Sequence, residues 1–160
     1  MIRRGGVEDL GRVFAIQRES SVAGFANVFP PERFPYPDAT VRDELHAQLS
    51  DPQNVVLLDG DGRGFALVGH DRLQRLFVVP SAWGTGVADE LHAAAVDTFR
   101  ELGTERASLW CLAENARARR FYERRGWRLN GEERVVEFPP FPLDVGYSLD
   151  LDLARPPRPS

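Results

Sequence analysis

Leu76-Phe77-Val78-Val79-Pro80-Ser81-Ala82-Trp83-Gly84-Thr85-Gly86-Val87-Ala88 reads as a strand, a glycine turn and a helix start. Val78 and Val79 are β-branched and suit a buried strand. Pro80 ends that strand because it has no N–H for the ladder. Gly84 and Gly86 let the backbone turn tightly and approach a neighbour closely. The helix that follows opens with amides that have no intrahelical acceptor. Such an end attracts anions, so a phosphate-bearing ligand is expected, although turns of this kind also serve packing alone. Two other phosphate motifs are excluded. No third glycine completes a dinucleotide fingerprint, since Asp89-Glu90 follows Ala88. No Gly-Lys-Ser/Thr is present, and the chain has no lysine at all.

Outward from this stretch, residues 107–112 look like a second strand. Asn115 is placed to cap a short helix over 116–125 by offering its side-chain oxygen to an orphan amide. Gly126 suits the position just past the end of that helix. Ala118 and Tyr122, four residues apart, share a face, with Phe121 beside them.

With both elements in hand, the chain resembles the GNAT-type N-acetyltransferases. Trp83-Gly84-Thr85-Gly86-Val87-Ala88 matches the acyl-CoA signature of that family, and Asn115…Ala118…Phe121-Tyr122-Glu123…Gly126-Trp127 matches its later block. The resemblance covers roughly residues 53–150, and residues 1–21 fit the opening strand and helix of the family. One departure stands out: Trp83 occupies a place where the family usually has Gln or Arg. Its backbone amides can still cradle a pyrophosphate, but a polar side-chain contact is lost.

The resemblance implies acetyl-CoA as co-substrate, held by Val78, Val79, Trp83, Gly84, Thr85, Gly86, Val87, Ala88 and Asn115. It implies that the strands at 73–79 and 107–112 splay apart to admit the pantetheine arm against backbone near Val78 and Val79. It implies acetyl transfer to a primary amine of a small molecule or peptide. That chemistry sets three tasks. The amine must lose a proton, since an alkylammonium has a pKa of about 10.4. The oxyanion needs a donor, for which backbone near Val78 and Val79 is the candidate. The leaving thiolate needs a proton, which a neutral tyrosine can supply. Tyr122 is the candidate acid, against the alternative of a packed aromatic anchor. Asn115 has two compatible readings, helix cap and amide donor to the CoA arm.

The general base is a gap. Glutamates often stand on the strand before the glycine turn in the resembling family; here that strand has Gln74, which cannot ionise but can hold a water. His70, Asp71 and Glu32 are ionisable alternatives without a positional argument. His46 and His92 read as helix-surface residues, and no cluster has metal-ligand spacing, so no metal is expected. A non-catalytic acyl-CoA-binding or sensing module is the rival reading, favoured by Gln74 and Trp83. Tyr122 and Asn115 favour the enzyme. A third reading is a modifier of protein N-termini.

Arg117, Arg119, Arg120, Arg124 and Arg125 make one helix strongly basic. They form either a solvated face or, in part, a contact for the 3′-phosphate of CoA. Cys111 reads as a buried inert thiol. Trp110 and Trp127 read as core or sheet-face residues.

The bulk properties agree with an ordinary globular enzyme. At 160 residues, residues 1–153 read as one domain, with the Pro- and Arg-rich 154–160 as a disordered tail. A net charge of −4 argues against nucleic acid as the main partner. No run is apolar enough to span a membrane, and no signal-peptide core opens the chain. A single cysteine gives no internal disulfide, so a cytoplasmic location is expected.

Along the chain, the pattern predicts a strand at 2–4 and helices over 7–22 and 40–49, the latter capped by Thr40. It predicts a hairpin of 55–59 with 64–70 and a strand at 73–79. A helix over 87–102 should turn Val87, Leu91, Ala94, Ala95, Val96, Phe99 and Leu102 inward. Strands at 128–130 with 133–138, and at 145–151, complete the set. The expected fold is α/β, a GNAT-like mixed sheet of six or seven strands with helices on both faces. The late strands leave a homodimer open. Specificity should sit in two Phe- and Pro-rich segments, 25–38 and 137–143, with Glu32, Asp38 or Glu137 near a bound amine.

Overall fold

A computed structural model describes residues 1–151; the expected tail at 154–160 lies outside the described residues. Seven strands form one sheet: β1 (Ile2–Arg4), β2 (Asn54–Asp59), β3 (Gly64–Gly69), β4 (Arg72–Val78), β5 (Arg106–Leu112), β6 (Arg128–Val135) and β7 (Leu143–Asp150). Four helices accompany them: α1 (Leu10–Gly24), α2 (Asp38–Ser50), α3 (Val87–Glu101) and α4 (Ala116–Arg124). The strand order is β1-β2-β3-β4-β5-β7-β6.

The sheet is mixed because α3 crosses between β4 and β5. That crossover makes their contact parallel, whereas every other neighbouring pair is antiparallel. The parallel contact is confined to Arg72↔Ser108, where Ser108 donates its N–H to Asp71 O at 2.8 Å. Beyond it β4 and β5 part, while β5 continues in register with β7 from Arg106↔Asp150 to Leu112↔Asp144. The sheet therefore forks.

Each face of the sheet carries helices over its own apolar layer. Leu91, Ala95 and Phe99 of α3 pack with Leu57, Ala66, Leu109, Trp127 and Tyr147 on one face. Val13 and Ile16 of α1 and Val41 and Leu45 of α2 pack with Val56, Leu58, Phe65 and Leu67 on the other. The alternation of apolar side chains along β2 and β3 feeds both layers, which is why β3 is buried at every position.

Several expected details differ. Residues 7–9 form a 3₁₀ turn rather than the start of the first helix, because the Asp9 carboxylate accepts from the Gly6 N–H and the chain turns there. The second helix begins at Asp38, directly after Pro37, so Thr40 lies inside it and not at its cap. β6 is one strand with a register shift between Leu129 and Glu133 in place of two pieces, and β7 begins at Leu143. Leu102 is exposed, since α3 ends before it. His92 is buried, not on the helix surface: Trp127 Nε1 donates to His92 Nε2 at 3.0 Å.

Candidate active site

The glycine turn sits at the mouth of the fork. Gly84 and Gly86 both have positive φ, +78° and +93°, a region in which a side chain is strained. A Cβ on either would meet nothing within 4 Å, so it is backbone shape rather than crowding that calls for glycine. The amides of Gly84, Gly86, Val87 and Ala88 have no acceptor among the described residues, and α3 has no side-chain cap. Thr85 is fixed by its own hydroxyl, which donates to Ala82 O at 2.5 Å. Four unspent N–H groups at a helix start make a cradle for an anion.

The Val78-Val79 pair divides into two roles. Val79 donates its N–H to Arg63 O at 2.8 Å and accepts from Ala82 N–H at 2.9 Å, so both its backbone groups are engaged. In an antiparallel ladder the next residue points the other way. Val78 therefore turns its N–H and C=O towards the fork. Trp83 reaches back and donates Nε1–H to Val78 O at 2.8 Å. The Arg117 guanidinium lies over the Trp83 ring, 4.0 Å from its centre, and ties α4 to the glycine turn.

α4 forms the other side of the fork. Asn115 Oδ1 accepts from Ala118 N–H at 3.1 Å and caps the helix, which leaves its Nδ2 unspent. Tyr122 packs edge-on against Phe121 and Trp127. Its hydroxyl makes no hydrogen bond among the described residues. Burial, helped by the nearby Cys111 thiol, pushes the Tyr122 phenol above its ordinary range. A phenol so placed keeps its proton and acts as a donor. Cys111 is buried and its thiol is pushed up to about 12, which keeps it protonated and unreactive.

Of the four α4 arginines and Arg125 at its C-cap, three are held within the protein. Arg117 stacks on Trp83. Arg119 donates to Tyr147 Oη and Ala113 O, and Arg125 donates to Phe121 O and pairs with Asp89. Arg120 and Arg124 are exposed.

A cavity of about 570 Å³ runs from Asn115, Ala118 and Tyr122 past β4 and β5 to the segment between α1 and α2. Its walls include Phe25, Phe29, Phe34, Phe77, Trp110 and Phe138. Both Phe- and Pro-rich segments thus reach it. The carboxylates expected nearby do not: Glu32 and Glu137 are exposed and off the wall, and Asp38 pairs with Arg18 at 2.7 Å. His70 and Asp71 are exposed at the β3–β4 turn and also lie off the wall. The wall carboxylates are Glu44, paired with Arg75 at 3.2 Å, and Asp144, paired with Arg134 at 3.0 Å.

Gln74 lies on the wall at an irregularity in β4. Leu67 pairs with Arg75 and Val68 with Leu73, so Gln74 is the extra residue of a bulge. The bulge keeps Leu73 and Leu76 in the same apolar layer and frees Gln74 to face the cavity. Tyr36, Glu44 and Arg75 carry no sign of this role in the sequence, whereas Gln17 shares the inner side of α1 with Leu10, Val13 and Phe14. The 3.6-residue periodicity of α1 placed Gln17 on the inner side, and that was the one available signal.

The comparisons with known proteins point the same way. The sequence profile of the acetyltransferase (GNAT) family matches residues 7–127. An uncharacterized N-acetyltransferase of Mycobacterium tuberculosis is 33% identical over 113 residues, covering 65% of this chain and 72% of that protein. The fold superposes on the GCN5-related N-acetyltransferase of Rhodopseudomonas palustris with a TM-score of 0.77 at 19% identity, covering 94% of this chain and 95% of the other. It also superposes on the PaiA N-acetyltransferase of Thermoplasma acidophilum, solved in complex with coenzyme A. There the TM-score is 0.71 at 18% identity, covering 94% and 98%. With a forked sheet, an open glycine turn and a matching profile over most of its length, the chain belongs to the GNAT family and is an acetyl-CoA-dependent N-acetyltransferase.

Proposed function

We propose that the chain acetylates a primary amine of a small molecule or peptide by direct attack on acetyl-CoA, with Tyr122 as the general acid. The observation that carries this reading is the unspent Tyr122 hydroxyl on the wall of a cavity that opens at the fork between β4 and β5. Acetyl-CoA is the co-substrate. The amides of Gly84, Gly86, Val87 and Ala88 would receive its pyrophosphate, while Thr85, whose N–H and hydroxyl both donate to Ala82 O, and Trp83 hold the turn in shape. The Asn115 Nδ2 would donate to the pantetheine arm.

Of the Val78-Val79 pair, Val78 is the backbone partner, because Val79 spends both its groups within the protein. Val79 supports it by packing into both apolar layers. The pantetheine arm would lie against the Val78 N–H, and the thioester carbonyl against the Leu76 N–H, which faces the fork in the same phase two residues nearer Gln74 and becomes more favourable as charge develops on oxygen. The neutral amine would attack from the cavity, the C–S bond would break with the departing thiolate taking the Tyr122 proton, and the proton shed by the newly acylated nitrogen would return to the Tyr122 phenolate. Burial raises the basicity of the thiolate as well as the pKa of the phenol, so the transfer stays matched. Arg117 is stacked on Trp83 with its N–H edges unspent, which makes it the α4 arginine best placed to meet a phosphate.

Tyr122→Phe tests the assignment. A general acid contributes about 10²–10⁴ in rate, so kcat should fall at least a hundredfold while acetyl-CoA binding, measured by calorimetry, stays within about twofold. An unchanged kcat would remove Tyr122 from the chemistry.

A further inference from the structure

Among the described residues, three buried polar atoms on the cavity wall make no well-formed hydrogen bond: Gln74 Oε1, and Gln17 Oε1 and the Tyr36 hydroxyl, which lie beside each other and near Ser21 without satisfying one another. Buried acceptors are met by donors in nearly all folded proteins, because an unmet one is a standing penalty. Three around a single cavity therefore mark places where a ligand makes the bonds. Gln17 is only 5% exposed, so bulk water does not serve it.

The three fall into two groups. Gln74 stands on β4 just beyond the last paired position, at the fork. Its Nε2 donates to Asn54 Oδ1 at 3.2 Å, and that bond leaves Oε1 as its free end. Gly69 preserves the arrangement, since a Cβ there would run into both Asn54 Oδ1 and Gln74 Nε2. Gln17 lies on α1 next to Tyr36, whose phenol is pushed up by burial and offset only in part by Ser21 and Gln17. One acceptor thus waits at the reacting end, and one polar cluster waits on the α1 side. Aromatic side chains, among them Phe25, Phe29, Phe77 and Trp110, line the same cavity.

Charge narrows the ligand further. Both wall carboxylates are already paired, Glu44 with Arg75 and Asp144 with Arg134. The remaining charged wall residue, Arg33, is a cation that lies over the Phe34 ring. Nothing on the wall is left to neutralise a second ammonium, and a desolvated unpaired charge is unfavourable. A peptide would bring a backbone donor and acceptor with every residue into walls that are largely aromatic and aliphatic.

Building on the amine acetylation proposed above, we infer that the acceptor is a small monoamine on an aromatic body with one uncharged polar substituent. Gln74 Oε1 receives an N–H of the reacting amine, and Gln17 with Tyr36 receives the substituent. Polyamines and peptides are poor acceptors.

The test measures kcat/KM with acetyl-CoA for tyramine, phenethylamine, spermidine and a short peptide with a free N-terminus. Tyramine should exceed phenethylamine about fivefold or more, and exceed spermidine and the peptide at least tenfold. Gln17→Leu and, separately, Tyr36→Phe should each bring the tyramine-to-phenethylamine ratio towards one. The ratio is internal to each variant, so partial misfolding does not imitate it. Spermidine or the peptide as the best acceptor overturns the inference and leaves acetyl transfer standing, as does a ratio that both substitutions leave unchanged. Failure to acetylate any amine while acetyl-CoA binds overturns the proposed function, and this inference falls with it.

Discussion

At the scale of single residues, Trp83 explains how the glycine turn tolerates an indole in a place where a polar side chain is usual. The Nε1–H takes the Val78 carbonyl, and the ring carries the Arg117 guanidinium. The side chain has become part of the scaffold that holds the turn against β4. Trp83→Phe separates the two contributions, since it keeps a ring for Arg117 and removes the donor. The expected cost is about 1 kcal/mol of stability, the net worth of one hydrogen bond, read as a lower urea midpoint. Acetyl-CoA affinity should change less than threefold, because the unspent amides of Gly84, Gly86, Val87 and Ala88 remain. A tenfold loss of affinity with unchanged stability would place the indole in direct contact with the ligand instead.

At the scale of elements, α4 is a helix of nine residues with no buried position, so it cannot hold itself in place by packing alone. It is anchored by Tyr147 of β7, fully buried, whose hydroxyl donates to Glu123 Oε2 at 2.8 Å and accepts from Arg119 Nε at 2.9 Å. Both α4 residues flank Tyr122, one turn before it and directly after it. Tyr147→Phe should therefore cost about 1–2 kcal/mol and lower kcat about tenfold. KM for acetyl-CoA should rise less than kcat falls, because the glycine turn on α3 is untouched and Asn115 and Arg117 stand at the opposite end of α4 from Glu123. A loss of stability with full kcat would show that the anchor has no part in placing Tyr122. Elements of this kind also show what a sequence reveals. The glycine turn and the Asn115 cap obey local rules of backbone conformation, and both were legible from a few neighbouring residues. The bulge at Gln74 depends on how β3 pairs with β4, and His92 is buried because of Trp127, 35 residues away. The wall on the α1 and α2 side escaped for the same reason: Gln17 and Glu44 look like ordinary helix residues until β4 brings Gln74 and Arg75 against them.

At the scale of the whole molecule, the fork divides the site into two approaches. The glycine turn and α4 present unspent donors on the acyl-CoA side. The α1, α2 and β6–β7 segments wall the acceptor side. Among the described residues the acceptor side holds no unpaired carboxylate and no histidine, and Gln74 stands where an ionisable base would be useful. An alkylammonium that enters such a cavity finds nothing to take its proton. The amine must then arrive neutral, and the neutral fraction grows tenfold with each pH unit until the pH reaches the amine's own pKa of about 10. For an alkylamine, kcat/KM should accordingly rise with a slope near one from about pH 6 to about pH 9. No descending limb should appear in that range, because Tyr122, pushed above the ordinary phenol value, keeps the proton it has to give. An arylamine already neutral at pH 6 should give a flat profile under the same conditions. The two acceptors together isolate the cause, since a base on the enzyme would bend both curves at its own pKa. A shared plateau beginning near pH 7 would instead assign deprotonation to a side chain of the enzyme.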